Sequence, residues 1–148
     1  MSGFRLRTAT WNDREFCWWL LQQTMKPYIA ATWGWNDAEQ LTRFEAEFDP
    51  ASRQIVEFDG RAIGVLHANY GSDPVRVLNL QICPAFQGRG IGTRVIREVI
   101  LRANGRAVWL QVLKDNPAKA FYERHGFRVS KENATHREMI LEPMHPIG

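Results

Sequence analysis

The sequence predicts a mixed α/β sheet protein, and three observations carry that prediction. RQIVEFDGRAIGVLHANY places Asp59-Gly60 between two β-rich runs, the pattern of a tight hairpin. In VLNLQICPAFQGRGIGTRVIREVI a strand-like run passes through a glycine-rich loop into Ile91, Val95, Ile96, Val99, Ile100 and Ala103, which recur at helical spacing. AVWLQVL then repeats the change from strand to helix, with NPAKAFYERHGF behind it. Strands interleaved with helices in this way imply a sheet covered by helices.

Each element follows from local chemistry. FRLRTAT (Phe4 to Thr10) reads as the first strand, after which Asn12 or Asp13 caps a helix to about Met25 that carries Phe16, Trp18, Trp19, Leu20 and Leu21. KPYIAATWGW reads as a connection. Asn36 with Glu39 resembles a capping box and opens a second helix, whose Leu41, Phe44 and Phe48 share a face and which stops before Asp49-Pro50. The hairpin supplies the next two strands, and VRVLNLQI, after Asp73-Pro74, a fourth. A third helix opens at the glycine loop and stops at Asn104-Gly105. AVWLQVL is a buried fifth strand. Asn116 caps and Pro117 begins a short helix with Ala118, Phe121, Tyr122 and His125 on one face, ended by Gly126. FRVSKE and REMILEP close the order β-α-α-β-β-β-α-β-α-β-β.

The 148 residues suit one domain, residues 1–148, able to bury a core without staples. No apolar run is long enough to cross a bilayer, and MSGFRLRTAT has no signal-like apolar segment, so a cytoplasmic protein with no membrane partner is expected. Cys17 and Cys83 are the only cysteines, and His67, His125, His136 and His145 lack metal-binding spacing; no metal is expected. A net charge of +3 is too slight to indicate a polyanionic partner.

The stretch QGRGIG holds the chemical signal. Helix starts present unsatisfied N–H groups and the positive end of the helix dipole, and glycines let an anion approach them closely. Gly88, Gly90 and Gly92, flanked by Arg89 and Arg94, therefore suit a phosphate or pyrophosphate. There is no Gly-Lys-Ser/Thr ending of a Walker A loop, and Thr93 breaks a dinucleotide GxGxxG. Taken alone, the loop could equally be a tight strand-to-helix connection with solvated arginines.

The neighbouring residues make the sequence resemble the GNAT superfamily of acyl-CoA-dependent N-acyltransferases. Its signature Gln/Arg-x-x-Gly-x-Gly/Ala is matched by Gln87, Gly90 and Gly92, after an apolar-x-Pro at Ile82-Cys83-Pro84, and a second signature is matched by Asn116 to Phe127. The resemblance implies a GNAT-like fold along essentially the whole chain, with the fourth and fifth strands splayed to form the cleft. It implies acetyl-CoA as co-substrate, its pyrophosphate cradled by the backbone of Gln87, Gly88, Arg89, Gly90, Ile91, Gly92 and Thr93, its pantetheine running beside Leu80 and Ile82. Tyr122 matches the general acid of many members. Asn116 matches a cofactor contact, but stands six residues before Tyr122 where seven is commoner.

Acetyl transfer to an amine needs a neutral amine, a stabilised oxyanion and a proton for the departing thiolate. A phenol of pKa about 10 is protonated at neutral pH and can supply that proton, although Tyr122 also sits where a core tyrosine would. Gln111 occupies the place of a glutamate base used by some members, and an amide cannot act as that base. Glu57, Glu138, His67, or water oriented by Asn79 and Gln81 remain open as replacements. Tyr28, Trp33 and Trp35 form a candidate acceptor wall, with Asp37 and Glu39 positioned to attract an ammonium group; the alternative is that the tryptophans pin a loop. The expected activity is N-acetylation of a primary amine of a small molecule or peptide, by a monomer or homodimer. The alternative is a non-catalytic acyl-CoA sensor. Nucleic-acid binding through Arg89, Arg94, Arg97, Arg102 and Arg106 is not expected, because these read as a solvated helix face without an accompanying motif.

Overall fold

The computed structural model describes residues 3–143, so His145 lies outside the described residues. The elements occur in the predicted order: β1 (Phe4–Thr8), α1 (Arg14–Trp33), α2 (Asp37–Glu47), β2 (Arg53–Phe58), β3 (Arg61–Asn69), β4 (Val75–Ile82), α3 (Ile91–Ala103), β5 (Val108–Leu113), α4 (Ala118–Arg124), β6 (Arg128–Glu132) and β7 (His136–Leu141). The strands follow the order β1-β2-β3-β4-β5-β7-β6 in a seven-stranded sheet. By backbone proximity the chain divides into two compact units, one drawn from Met1–His67 with Asn79–Gly92 and the other from Ala68–Leu78 with Thr93–Gly148.

In the first unit the hairpin forms as its turn chemistry requires, with Asp59 at φ 51° and Gly60 at φ 78° joining Phe58 to Arg61. Its ladder shifts register between Val56 and Glu57, which pair with Gly64 and Ala62, so Ile63 is the extra residue of a bulge. Leu20, Ile55, Val56, Ile63 and Leu66 are almost fully buried. Burial of side chains of this size contributes roughly 1.5–3 kcal/mol each. Arg7 ties β1 to its neighbours: its guanidinium bonds Asp13 at 2.8 Å, in the turn before α1, and Glu57 on β2 at 2.9 Å.

The first helix is longer than the sequence predicts. A mid-helix proline removes an N–H and crowds the carbonyl four residues earlier, which is why KPYIAATWGW reads as a connection. The structure carries α1 through Pro27 to Trp33. Thr24 Oγ1 bonds the Leu20 carbonyl at 2.7 Å, the favourable helix formers Ala30 and Ala31 follow, and the stop comes at Gly34, whose N–H bonds the Ala30 carbonyl at 2.9 Å. Trp33 is therefore a helical residue and not part of a loop. The second helix starts as predicted, with Asn36 Oδ1 accepting the Glu39 N–H at 3.0 Å. Phe44 and Phe48 of its expected face are buried, but Leu41 stays exposed.

In the second unit β4 pairs in parallel with β5 at Val75–Val108, Arg76–Trp109 and Val77–Leu110, and β5 and β6 flank β7 in antiparallel ladders. Val75, Val95, Ile96, Val99, Val108, Leu110 and Met139 form its core. The apolar stripe read in the sequence thus becomes the buried face of α3. Arg106, read as part of a solvated arginine face, instead donates to the carbonyls of Tyr70, Ser72 and Ala103. Arg102 lies over the Tyr70 ring at 4.3 Å. A guanidinium with five donors is suited to gathering several backbone carbonyls in this way. Among the described residues, no helix is long and apolar enough to cross a membrane.

Candidate active site

The glycine loop is positioned from below by packed side chains. At the end of β4 the Cys83 N–H bonds the Ile63 carbonyl at 2.7 Å, Pro84–Phe86 make one tight turn, and Gln87 Nε2 returns to the Ile82 carbonyl at 2.9 Å. The Phe86 ring lies 6.5 Å from Phe58 and carries two guanidinium groups, Arg89 at 5.1 Å and Arg61 at 5.8 Å. Cation–π contact holds both charges beside the loop.

Gly88 and Gly90 have φ values of 76° and 80°, a conformation L side chains rarely adopt. A Cβ built on either would meet nothing within 4 Å, so these glycines are required by backbone shape and leave open space above the loop. The 13-residue α3 begins at Ile91, whose side chain is buried and fixes the helix start. Exposed backbone, open approach, an adjacent helix N-terminus and the Arg89 cation together fit an anionic diphosphate. Further along the same helix, Thr93 Oγ1 and His125 Nε2 are 3.3 Å apart. Burial, and then Arg97 and Arg124, hold the His125 imidazole below its usual range.

A cavity of about 190 Å³ opens in the first unit. Leu21 and Ile29 of α1, Phe44 of α2 and Val65 of β3 give it an apolar lining, and Trp33 adds an indole. Asn79 and Gln81 contribute from alternate positions of β4, so the same face of that strand supplies both amides. The charged groups of the wall are Arg43, Glu47 and Arg53. Arg53 is 9% exposed; its Nη1 donates to the Asp49 carbonyl at 3.1 Å and its guanidinium lies 4.9 Å from the centre of the Phe48 ring. His67 Nε2 is 3.1 Å from Ser52 Oγ. Burial, reinforced by the Arg53 cation, lowers the His67 pKa to about 4, so its ring is neutral at pH 7.

Arg53 was not singled out from the sequence. Its signal was the two-residue period of RQIVEF, which puts it on the same face as buried Ile55. Trp33 lines the cavity and Tyr28 sits half-buried on α1, outside that wall. Trp35 does something different: it stacks on Trp18 at 6.0 Å, its Nε1 donates to Asp37 and Lys26 lies 5.5 Å above it. These contacts pin the connection between α1 and α2. They also occupy Asp37, which was expected to attract an ammonium group and instead takes the indole N–H and lies 3.9 Å from Lys26.

Tyr122 lies on α4, 6% exposed, with ring centres of Phe121 and Phe127 at 5.1 and 5.6 Å. Burial pushes its phenol well above the usual range, so it stays protonated. Asn116 Oδ1 accepts the Ala118 N–H at 3.0 Å in the turn that leads into that helix; the N-cap itself is Pro117, one residue later than the sequence places it, because the helix begins only at Ala118. Gln111 is exposed on β5, opposite Glu138 of β7. The Glu138 carboxylate accepts the Trp109 indole N–H at 2.9 Å, while Glu57 is taken up by Arg7. Cys83 is buried at the end of β4.

Known proteins share both sequence and fold with this chain. Residues 50–129 match the family described as acetyltransferase (GNAT) domain. N-alpha-acetyltransferase RimI of Mycobacterium tuberculosis (strain ATCC 25618 / H37Rv) is 45% identical over 53 residues, which make up 35% of this chain and about a third (34%) of that relative's length. The structure resembles the PaiA N-acetyltransferase of Thermoplasma acidophilum, solved in complex with coenzyme A, with a TM-score of 0.74 at 16% identity over 97% of this chain and 100% of that one. An acetyltransferase of Thermus thermophilus superposes with a TM-score of 0.74 at 23% identity, covering 95% and 97% of the two chains. The chain belongs to the GNAT family of acetyltransferases, which use acetyl-CoA.

Proposed function

We propose that this protein is an acetyl-CoA-dependent N-acetyltransferase acting on a primary amine of a small molecule or peptide. The observation that carries the reading is the pair of left-handed glycines, Gly88 and Gly90, open above the loop and beside the Arg89 cation in a GNAT chain. The mycobacterial relative, named as an N-alpha-acetyltransferase, supports transfer to nitrogen, although its match covers only about a third of that protein. A single domain over residues 1–148, a cytoplasmic location, and a monomeric or homodimeric form belong to the same reading.

Bound acetyl-CoA supplies an activated thioester. The chain's part is to hold it and to manage protons. In this reading the backbone N–H groups of Gln87, Gly88, Arg89, Gly90, Ile91, Gly92 and Thr93 receive the diphosphate, and Leu80 and Ile82 offer strand-like backbone to the pantetheine arm. Asn116 assists through the start of α4. Tyr122 holds the proton that the thiolate requires; a phenol kept neutral by burial is in the donating state at physiological pH. Trp33 borders the acceptor, with Tyr28 and Trp35 shaping the helices behind it. Asn79 and Gln81 orient water that takes the proton of the incoming ammonium.

Titration calorimetry with acetyl-CoA, followed by addition of amines with thiol release monitored, tests the proposal. Binding followed by amine-dependent release is the expected result. Absence of binding would overturn it. Binding without release from a broad amine panel would replace catalysis with acyl-CoA sensing.

A further inference from the structure

We infer that the acceptor carries a carboxylate as well as its amine, and that Arg53 in the cavity wall is the counter-ion that receives it. The inference rests on the transferase reading above and names the substrate class for that site: a small amino acid with an apolar side chain.

Four features of the cavity lead to it. The first is charge. Arg53 is 9% exposed and, among the described residues, forms no ion pair within 4.0 Å; its guanidinium is held by one backbone carbonyl and the Phe48 ring. A guanidinium has five donors in a planar fork, matched to the two oxygens of a carboxylate, and a buried cation whose donors no carboxylate bonds is costly. The wall holds Arg43, Arg53 and Glu47, the Asp49 and Glu47 carboxylates both act on the Arg53 cation through space without bonding it, and His67 adds no charge at pH 7. An entering carboxylate would take the guanidinium donors that neither acidic side chain bonds.

The second is size. About 190 Å³ is below the roughly 300–1,000 Å³ of pockets that hold drug-sized ligands, and suits a molecule of amino-acid dimensions. The third is the apolar lining of Leu21, Ile29, Phe44 and Val65, which would cover a hydrocarbon side chain. The fourth is orientation along β4. Asn79 and Gln81 face the cavity while Leu80 and Ile82, proposed to run beside the pantetheine, alternate with them on the same strand. A carboxylate held at Arg53 leaves the amine free to reach that strand.

The test compares free leucine, valine and methionine with their carboxamides, which keep the amine and side chain but lose the negative charge. Calorimetry on the intact protein at pH 7 should show at least one acid binding about tenfold or more tightly than its amide. Arg53→Gln should remove the difference, and Arg53→Lys should keep part of it. Amides binding as tightly as acids to the unmodified protein would overturn the inference whether or not the variants fold. So would an acid preference that survives in folded Arg53→Gln. Thiol release from acetyl-CoA, read in the same samples, separates the two claims. Selective acid binding with no release for any amine would remove the transferase reading and leave the carboxylate site standing. Equal release from acids and amides would retain the transferase and remove the carboxylate site.

Discussion

A Cβ added to Gly64 would lie 2.7 Å from the carbonyl oxygen of Gln81. The same atom would meet Ile82 Cδ1 at 2.8 Å and Val56 Cβ at 3.2 Å, so β3 can approach the end of β4 only without a side chain at this position. Gly64 is also where the bulge resets the register opposite Val56. One missing methyl thereby fixes the strand end that carries Gln81 into the cavity and leads into the glycine loop. Gly64→Ala should destabilise the protein by about 1–3 kcal/mol, the usual cost of overpacking. Urea unfolding would measure it, and an unchanged midpoint with an unchanged slope would show that the strands separate freely.

Gly90→Ala and Gly60→Ala form a matched pair. Both glycines have φ near 80°, at 80° and 78°, and a Cβ at either meets nothing within 4 Å. Each substitution should therefore cost roughly 1–2 kcal/mol of stability through backbone strain alone. Acetyl-CoA affinity should fall only for Gly90→Ala, and should be abolished by Gly90→Asp, which adds an anion facing the diphosphate. Equal affinities for wild type and Gly90→Asp would remove the loop from the binding site.

Tyr122→Phe keeps the ring that packs on Phe121 and Phe127 and removes only the hydroxyl. Turnover should fall by about 10²–10⁴, the range for loss of a general acid, with acetyl-CoA affinity unchanged. Because burial raises the phenol's pKa, wild-type activity should show no alkaline limb from this group up to its ordinary value near 10. Unchanged kcat in the variant would make Tyr122 a packing residue.

His67 gives the acid-range stability a definite sign. Its pKa falls from about 6.5 in the unfolded chain to about 4 in the fold, so between those values the unfolded state binds more protons. Stability from keeping the ring neutral is full above about pH 6.5, declines as pH falls toward 4 and changes no further from this group below that. Arg53 and Asp49 face the ring with opposing effects, and Ser52 Oγ meets its Nε2. Denaturant midpoints between pH 7 and 4 should drop less for His67→Gln than for the wild type; parallel curves would assign the acid sensitivity elsewhere.

Much of this protein was written in local sequence. Asp59-Gly60 made its turn, Asn36 capped its helix, and the apolar period from Ile91 to Ala103 became the buried face of α3, because each depends on residues a few positions apart. The glycine spacing of QGRGIG likewise announced a loop open to close approach, while the left-handed backbone of Gly88 and Gly90 came with the fold. Tertiary structure decided what local pattern left ambiguous. Pro27 became an interior residue of α1, and Trp35 became a pin between helices. Arg106 found the Ser72 carbonyl across 34 positions of chain. The cavity is the clearest case, since Arg53, His67 and Gln81 come from three different strands and acquire a shared environment only when those strands pair. Burial then changes their charge and hydrogen-bonding chemistry, and burial is a property of distant neighbours that no short stretch of sequence encodes.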